Sequence, residues 1–410
     1  MAQTLFWIII AIIIFDYLLD KFLDYLNFRN INNDIPKGLE GVYDDKKYSK
    51  SQSYEKVNLG FSMITGTFSF ILLLVMLFFD GFALLDNYVS VLTDSIYLRA
   101  LLFFGILGLA MDILSMPFQI YGTFVIEQRF GFNKTKPLTF AVDKVKSWLL
   151  GAIIGGGLLL FIIWAWTETG MWFWLIVLGG LSAFTIFMTM FYSKLIVPLF
   201  NKQTPLEEGS LKDAIVSFSE KANFKIDNIF VIDGSKRSTK ANAYFSGIGP
   251  KKRIVLYDTL IKELSEEEIV AVLAHEVGHN KLKHVIIGLA MSLIQSAFMI
   301  WMLSVAVGRP ELSQALGAVQ PSFYIGLLAF GLLFSPISTI IGIFSNMISR
   351  KHEYQADGYA ASYGLGSALI SGLVKLSSNN LSNLNPHWLY VFIEYSHPTL
   401  LQRKTALEKL

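Results

Sequence analysis

Long apolar runs alternate with polar connections along the whole chain. A helix needs about 20 predominantly apolar residues to cross the hydrocarbon core of a bilayer. Six runs approach or exceed that length, and they cover residues 61–85, 98–118, 148–166, 171–192, 285–307 and 323–348. A seventh run, residues 5–19, is shorter and is interrupted by Asp16. The pattern predicts a mainly α-helical polytopic membrane protein with seven transmembrane helices.

Lys and Arg are concentrated in alternate connections between these runs. Residues 193–284 carry fourteen of them, whereas residues 86–96 and 167–170 carry none and residues 308–322 carry only Arg309. Cytoplasmic loops of membrane proteins are enriched in basic residues. The alternation therefore predicts an external N-terminus, a cytoplasmic C-terminus and a cytoplasmic location for the long 193–284 segment.

The composition supports a membrane protein and excludes several functions. The chain is 53% hydrophobic and 16% charged, against about 45–50% and about 25% in soluble domains. Its net charge of +2 gives no reason to expect a nucleic-acid partner. The absence of cysteine excludes disulfides, thiolate catalysis and cysteine-rich zinc sites.

The 193–284 segment has the pattern of a small α+β unit. Residues 208–224 have helical spacing, and residues 228–233, 242–247 and 253–258 have the pattern of short strands. Ser265 and Glu268 fit a capping box, so a further helix is expected to begin at about Glu266.

That last helix contains the motif HEVGH. His275 and His279 are four residues apart, so both imidazoles lie on one helix face and can reach a single metal ion. Glu276 lies one step round the helix, near enough to act on water at such a site without being a ligand. The alternative is a polar helix face with two incidental histidines. His284 lies nine residues beyond His275, about 180° round a continuous helix, and is expected to face away.

A catalytic zinc site needs three protein ligands and an open position. The segment SRKHEYQADGYA offers Glu353 as the third ligand, with His352 as a competing candidate. Asp357, four residues after Glu353, would accept a hydrogen bond from a ligand imidazole, His275 being the expected one. The segment by itself could also be a solvated charged helix.

Topology favours bringing the two segments together. Two predicted crossings separate His279 from Glu353, and two crossings return a chain to the side of the membrane on which it started.

The predicted division is 1–192 for spans one to five, 193–284 for a cytoplasmic metallopeptidase subdomain, 285–348 for spans six and seven, and 349–410 for a helical segment that completes the site.

The chain resembles the type I CAAX prenyl proteases, which are seven-span zinc metalloproteases of the gluzincin type. The resemblance is carried, in order, by FVIEQRFGFNKTK, PLFNKQTPLEEGSL, STKANAYFSGIG, LAHEVGHNKLKH, SRKHEYQADGYA and YSHPTLLQR. It implies that the spans enclose a water-filled chamber with a zinc site at its cytoplasmic end, and mid-span Asp112 gives this some support unless that residue pairs two helices.

The resemblance also implies roles for individual residues. His275, His279 and Glu353 would hold one Zn²⁺ per chain, and Glu276 would be the general base. His397 would stabilise the oxyanion, and Arg403 would lie beside the site and bind substrate. The edge strand at Asn242, Ala243 and Tyr244 would bind substrate as an added strand. Lys240 stands where many relatives would be expected to have histidine.

The expected activity is hydrolysis of peptide bonds near the C-terminus of peptide or protein substrates. In the family that the chain resembles, these substrates carry a prenyl group. A lipid-independent membrane quality-control protease is an alternative, and so is a channel or transporter with a structural zinc. Glu276 argues against the last, because a structural site closes its fourth position. The compact soluble segments are typical of a bacterial member, which would place the protein in a bacterial inner membrane.

Overall fold

The seven predicted spans are present in the computed structural model, which describes residues 1–32, 34–41, 44–224, 229–247 and 253–410. Within these residues, the helices long and apolar enough to cross a membrane are Ala2–Arg29, Asp45–Phe78, Ile96–Phe130, Pro137–Glu168, Gly170–Phe200, His284–Ala306 and Phe323–Ser362. We number them spans 1 to 7 in chain order.

The described helices are α1 Ala2–Arg29, α2 Asp45–Phe78, α3 Gly81–Leu92, α4 Ile96–Tyr121, α5 Gln128–Phe130, α6 Pro137–Leu150, α7 Gly156–Glu168, α8 Phe173–Leu195, α9 Val197–Phe200, α10 Ser210–Lys221, α11 Asp258–Glu263, α12 Glu266–Lys281, α13 His284–Ala306, α14 Pro310–Ala315, α15 Phe323–Ser362, α16 Gly366–Asn379, α17 Trp388–Glu394 and α18 Leu400–Leu407. Two π-helical segments, Gly122–Glu127 and Gly151–Gly155, continue α4 and α6 and lie inside spans 3 and 4.

The apolar run at residues 61–85 does not form one helix. Span 2 ends at Phe78 and a separate helix, α3, begins at Gly81. Between them, Asp80 adopts a left-handed backbone conformation with φ 52°, which an L-residue takes only at a turn. Hydropathy alone cannot detect this break, because the residues on both sides of it are apolar.

The apolar core of the membrane part lies at one end of the spans. Its buried members come from the first halves of spans 1, 3, 5 and 7, from the last halves of spans 2, 4 and 6, from α3, and from residues 307–318, which include α14. Only 6% to 17% of the most apolar part of each span is buried inside the protein.

A small sheet lies between span 5 and the HEVGH helix in the chain. Its strands are β1 Gln203–Pro205, β2 Ile229–Ile232, β3 Ala243–Ser246 and β4 Arg253–Tyr257. Their order is β1-β2-β4-β3, with β2 and β4 parallel and the other pairs antiparallel. The three predicted strands are thus confirmed, with Asn228 outside the described residues, and β3 is an edge strand. Sequence reasoning missed β1, which is three residues long and ends in proline.

Candidate active site

The start of α12 sets the register of the HEVGH residues. The Ser265 hydroxyl accepts a hydrogen bond from the Glu268 amide, and the Glu268 carboxylate accepts one from the Ser265 amide. Glu268 also accepts hydrogen bonds from Ser371 at 2.6 Å and from Lys375 at 2.8 Å, which ties this end of the helix to α16. The predicted capping box is therefore present, and it anchors the helix that carries the motif.

Span 7 is much longer than a membrane crossing requires. Its helix has 40 residues, which is about 60 Å at 1.5 Å per residue and about twice the thickness of the hydrocarbon core. Its C-terminal part packs against α12 at Gly278, where an added Cβ would lie 3.0 Å from the Cβ of Tyr359 and 3.2 Å from the backbone of Ala356. Glycine in HEVGH thus allows the two helices to approach closely.

This crossing brings together one ligand atom from each of His275, His279 and Glu353, all within 4.8 Å of one another. The two imidazole Nε2 atoms are 3.1 Å apart. Glu353 places its carboxylate oxygens 3.5 Å from Nε2 of His275 and 3.3 Å from Nε2 of His279. In a tetrahedral site with metal–ligand bonds of about 2.0–2.1 Å, ligand atoms are separated by about 3.3 Å.

The donor set fits a divalent metal in two further respects. Glu353 is 4% exposed, and its Oε2 is buried without a hydrogen-bond partner among the residues that the structure describes, an arrangement that native proteins avoid unless an ion or water satisfies the atom. Burial opposes a charged His275, but the neighbouring carboxylates of Asp357 and Glu353 outweigh this and raise its pKa to about 9. Both observations indicate an excess of negative charge that a cation would neutralise.

Asp357 lies where the sequence predicted a partner for His275. Its Oδ1 is 2.8 Å from Nδ1 of His275, and it is 1% exposed. An acceptor at Nδ1 leaves Nε2 of His275 free to bind a metal.

Arg403 pairs with Asp357 in a bidentate manner. Its Nε and Nη2 donate to the two carboxylate oxygens at 2.9 and 2.6 Å, and Nη1 is 3.6 Å from Oε2 of Glu353. Burial opposes the charge of this side chain, yet the pairing with Asp357 outweighs it and raises the pKa of Arg403. The guanidinium therefore points at the acidic residues of the site, and with 11% of the side chain exposed little of it is available to a substrate.

The expectation that His284 faces away is wrong. Its ring is buried, with Nδ1 3.1 Å from Nδ1 of His279. The reason is that α12 ends at Lys281 and Lys283 has φ 62°, so α13 begins in a new direction. The angular estimate assumed one continuous helix.

His352, the competing third ligand, is not part of the ligand group. Its ring stacks on that of His284 with centroids 3.9 Å apart and an interplanar angle of 6°. Glu353 occupies the position beside His275 and His279 instead.

Glu276 is half-buried and opens onto a cavity of about 470 Å³ between spans 6 and 7. The cavity is also lined by Phe245, His279, His284, Val285, Gly288, Met291, Ser292, Gln295, Ser345, Ile348, Ser349 and His352. Burial raises the pKa of the Glu276 carboxyl above its ordinary value, which suits a group that must take up and release a proton.

His397 lies on the open side of the ligand group. Its Nε2 is 3.4 Å from Oε1 of Glu353, and 64% of its side chain is exposed. Its Nδ1 is 2.9 Å from the Ser396 hydroxyl, which can hold the ring in place.

The predicted substrate strand is near the same cavity. Side chains alternate along a strand, and Phe245 lines the cavity while the Tyr244 ring faces Tyr257, with centroids 6.5 Å apart. Asn242 directly precedes the strand, is exposed, and its carbonyl accepts a hydrogen bond from the Tyr257 amide at 3.1 Å.

Lys240 ties the start of this strand to the membrane helices. Its Nζ is 2.8 Å from the Tyr54 hydroxyl, 3.0 Å from Glu127 and 4.4 Å from the centre of the Phe132 ring. The Tyr54 hydroxyl also donates to Glu127. The lysine found where histidine was expected thus connects spans 2 and 3 with the sheet.

His387, to which the sequence assigned no role, caps a helix. Its Nδ1 accepts a hydrogen bond from the amide of Leu389 at the start of α17, and its own amide donates to Asn27. It therefore helps to dock the C-terminal part on span 1.

Comparison with known proteins identifies the arrangement. Residues 205–410, which contain the whole ligand group, match the model of peptidase family M48. The chain belongs to this family. Residues 24–202 match the model described as CAAX prenyl protease N-terminal, five membrane helices. This M48 peptidase is thus an integral membrane metalloprotease.

The relatives cover almost the whole chain. It is 34% identical to CAAX prenyl protease 1 of Saccharomyces cerevisiae, over 95% of this chain and 92% of that one. It is 30% identical to the CAAX prenyl protease 1 homolog of Homo sapiens, over 92% of this chain and 89% of that one. The crystal structure of S. mikatae Ste24p superposes with a TM-score of 0.94 at 32% identity and covers 98% of this chain and 99% of that one.

Sequence reasoning missed two residues of the site. These are His284 and Gln355, whose Oε1 is 3.0 Å from Nε2 of His284. The run NKLK between His279 and His284 contains no proline or glycine that would have signalled the break in the helix.

Proposed function

We propose that the chain is a zinc endopeptidase that hydrolyses peptide bonds near the C-terminus of its substrates, and that prenylated substrates are among them. The observation that carries the proposal is the His275–His279–Glu353 group, whose member His279 lines the same cavity as Glu276. A catalytic zinc site has three protein ligands, an open coordination position and a base beside that position. A structural site has no open position.

The site residues have separate roles in the proposed reaction. A bound zinc ion would supply Lewis acidity to the water and to the scissile carbonyl. Glu276 would take a proton from the attacking water and deliver it to the leaving amine. His397, exposed and 3.4 Å from Glu353, would donate from Nε2 to the developing oxyanion while Ser396 holds its Nδ1.

The substrate would bind in an extended conformation along β3. An edge strand has unpaired backbone groups that can hydrogen-bond a peptide. Asn242, Ala243 and Tyr244 would contribute chiefly through their backbone, because the Tyr244 side chain packs against Tyr257. We propose that Arg403 acts on the substrate only indirectly, by holding Asp357 and Glu353.

The prenyl preference rests on the relatives, which are named CAAX prenyl proteases. The cytoplasmic location of the site rests on the distribution of Lys and Arg between the spans. A bacterial source and a bacterial inner membrane stay predictions.

The proposal is tested with full-length protein purified in detergent, with Glu276→Gln as the matched variant. We expect one zinc per chain in both proteins, cleavage of a prenylated C-terminal peptide by the wild type, and slower cleavage of its unprenylated counterpart. Equal cleavage of the two peptides would favour the lipid-independent quality-control protease. Stoichiometric zinc with no cleavage of either peptide would favour the channel or transporter.

A further inference from the structure

The second ligand imidazole is connected to a chain of hydrogen bonds that the proposed reaction does not use. Nδ1 of His279 is 3.1 Å from Nδ1 of His284, and Nε2 of His284 is 3.0 Å from Oε1 of Gln355. Gln355 lies on α15, two residues after Glu353 and two before Asp357. These hydrogen bonds therefore connect Gln355, on the helix that carries Glu353, with the imidazole of His279.

The positions of the protons follow from the chemistry of these atoms. An amide oxygen can only accept a hydrogen bond, so Nε2 of His284 must carry a hydrogen. A neutral imidazole has one N–H, which leaves Nδ1 of His284 as an acceptor. His279 must then donate from Nδ1, and its Nε2 is left with a free lone pair directed at Glu353 and His275.

The reverse order of protons is incompatible with metal binding. If the Gln355 side chain were flipped to donate its NH₂, a neutral His284 would carry its hydrogen on Nδ1 and donate to His279. Nδ1 of His279 would then be the acceptor, and its Nε2 would carry the hydrogen and could not bind a metal.

The geometry holds His284 in this position. The left-handed residue Lys283, with φ 62°, turns the start of α13 so that the ring points at His279. Stacking on His352, at 3.9 Å between centroids, restricts rotation of the ring. His284 is 6% exposed, so water does not readily replace it as the partner of His279.

We propose that His284 is a positioning residue that fixes the tautomer of His279, and that Gln355 fixes the tautomer of His284. The two ligand imidazoles are thus oriented by different means. Asp357 contacts His275 directly with a carboxylate at 2.8 Å, whereas Gln355 acts on His279 through a neutral imidazole. This inference rests on the proposed zinc site.

The test measures zinc affinity of the full-length protein in detergent by competition with a chelator, together with the visible spectrum of the cobalt(II)-substituted protein. His284→Leu removes the acceptor for Nδ1 of His279, and His284→Asn can return an oxygen acceptor near the position of Nδ1. Loss of such an outer partner of a metal ligand weakens metal binding by about 10–100-fold. We expect that loss and an altered cobalt spectrum in the leucine variant, and recovery of most of the affinity and of the wild-type spectrum in the asparagine variant.

Gln355 provides a second pair of variants, because its side chain is exposed and its replacement leaves no cavity in a packed core. Gln355→Leu removes the acceptor for His284, and Gln355→Glu keeps one. We expect weaker zinc binding in the leucine variant, by less than in His284→Leu, and near-wild-type binding in the glutamate variant. If His284→Leu does not fold, this pair decides the question.

The inference is overturned if the His284→Leu protein binds zinc as tightly as the wild type and gives the same cobalt spectrum. If His284→Leu does not fold, the same result for Gln355→Leu overturns it. It is also overturned if the leucine and asparagine variants of His284 lose affinity equally. His275→Ala separates this failure from a failure of the zinc site itself: an unchanged zinc affinity in that variant would contradict the proposed function as well.

Discussion

Two carboxylates in this protein are surrounded by polar partners, and their surroundings differ in one decisive respect. Asp112, inside span 3, accepts hydrogen bonds from Lys144 at 2.7 Å, Trp148 at 2.8 Å and Gln119 at 3.1 Å. Glu353 lies 3.5 Å from Nε2 of His275 and 3.3 Å from Nε2 of His279, and among the described residues its Oε2 has no hydrogen-bond partner. The first cluster is satisfied by its own members, and the second is not.

The difference separates a structural cluster from a site that fits a metal. A carboxylate that already holds an ammonium, an indole N–H and an amide has its charge and its lone pairs matched. A buried carboxylate oxygen that no donor satisfies needs a cation to do the same. Asp112 therefore pairs spans 3 and 4, which is the alternative that sequence reasoning left open, whereas Glu353 belongs to a candidate metal site.

The largest effect is expected from removing the unsatisfied carboxylate. Glu353→Ala should abolish zinc binding and peptide cleavage together, because two histidines alone make a weak site. Zinc content by mass spectrometry and cleavage of a C-terminal peptide measure this. Asp112→Ala is the control, and it should keep its zinc; a Glu353→Ala protein with one zinc per chain would erase the distinction between the two clusters.

Removing the base should lower activity without affecting the metal. Glu276→Gln keeps the size of the side chain but cannot accept the proton, so the rate of cleavage should fall by about 10²–10⁴-fold. Single-turnover cleavage combined with zinc analysis checks this prediction. Loss of zinc in this variant would mean that Glu276 supports the ligand group and is not a separate base.

A smaller effect is expected for the carboxylate that orients His275. Asp357→Asn loses the negative charge and weakens the bidentate pair with Arg403, so zinc affinity should fall by about 10–100-fold. Chelator competition measures the affinity. An unchanged dissociation constant would show that the position of His275 does not depend on the charge of Asp357.

The close helix crossing should be sensitive to a single methyl group. In Gly278→Ala the new Cβ would lie 3.0 Å from the Cβ of Tyr359, so α12 and α15 must separate, at a cost of about 1–3 kcal/mol. We expect a lower unfolding temperature and several-fold weaker zinc binding. Gly358→Ala is the control on α15, because its nearest contact is an ordinary 3.8 Å to Leu410; equal behaviour of the two variants would contradict the prediction.

The smallest effect on activity is expected from the satisfied cluster. Asp112→Ala leaves Lys144 and Trp148 without their acceptor and should reduce stability by about 1–3 kcal/mol, while zinc affinity and cleavage rate stay near wild type. Thermal unfolding in detergent checks this, with Asp112→Asn expected to lose less because it keeps an acceptor oxygen. A large loss of activity at unchanged stability would indicate that spans 3 and 4 take part in substrate handling.

Several features of the fold and site could be predicted from local patterns in the sequence. The seven spans follow from apolar run length, and the start of α12 follows from Ser265 and Glu268. The pairing of His279 with Glu353 on one side of the membrane follows from the number of crossings between them, which does not depend on packing.

Other features depend on how the helices pack. The inward position of His284 requires the left-handed Lys283 that ends α12, the stacking of His352 requires that same turn, and the pairing of Arg403 with Asp357 requires α18 to dock on α15. Periodicity determines which face of a continuous helix a residue occupies. It cannot determine the direction of the chain after a break, because that direction is selected by contacts between segments far apart in the sequence.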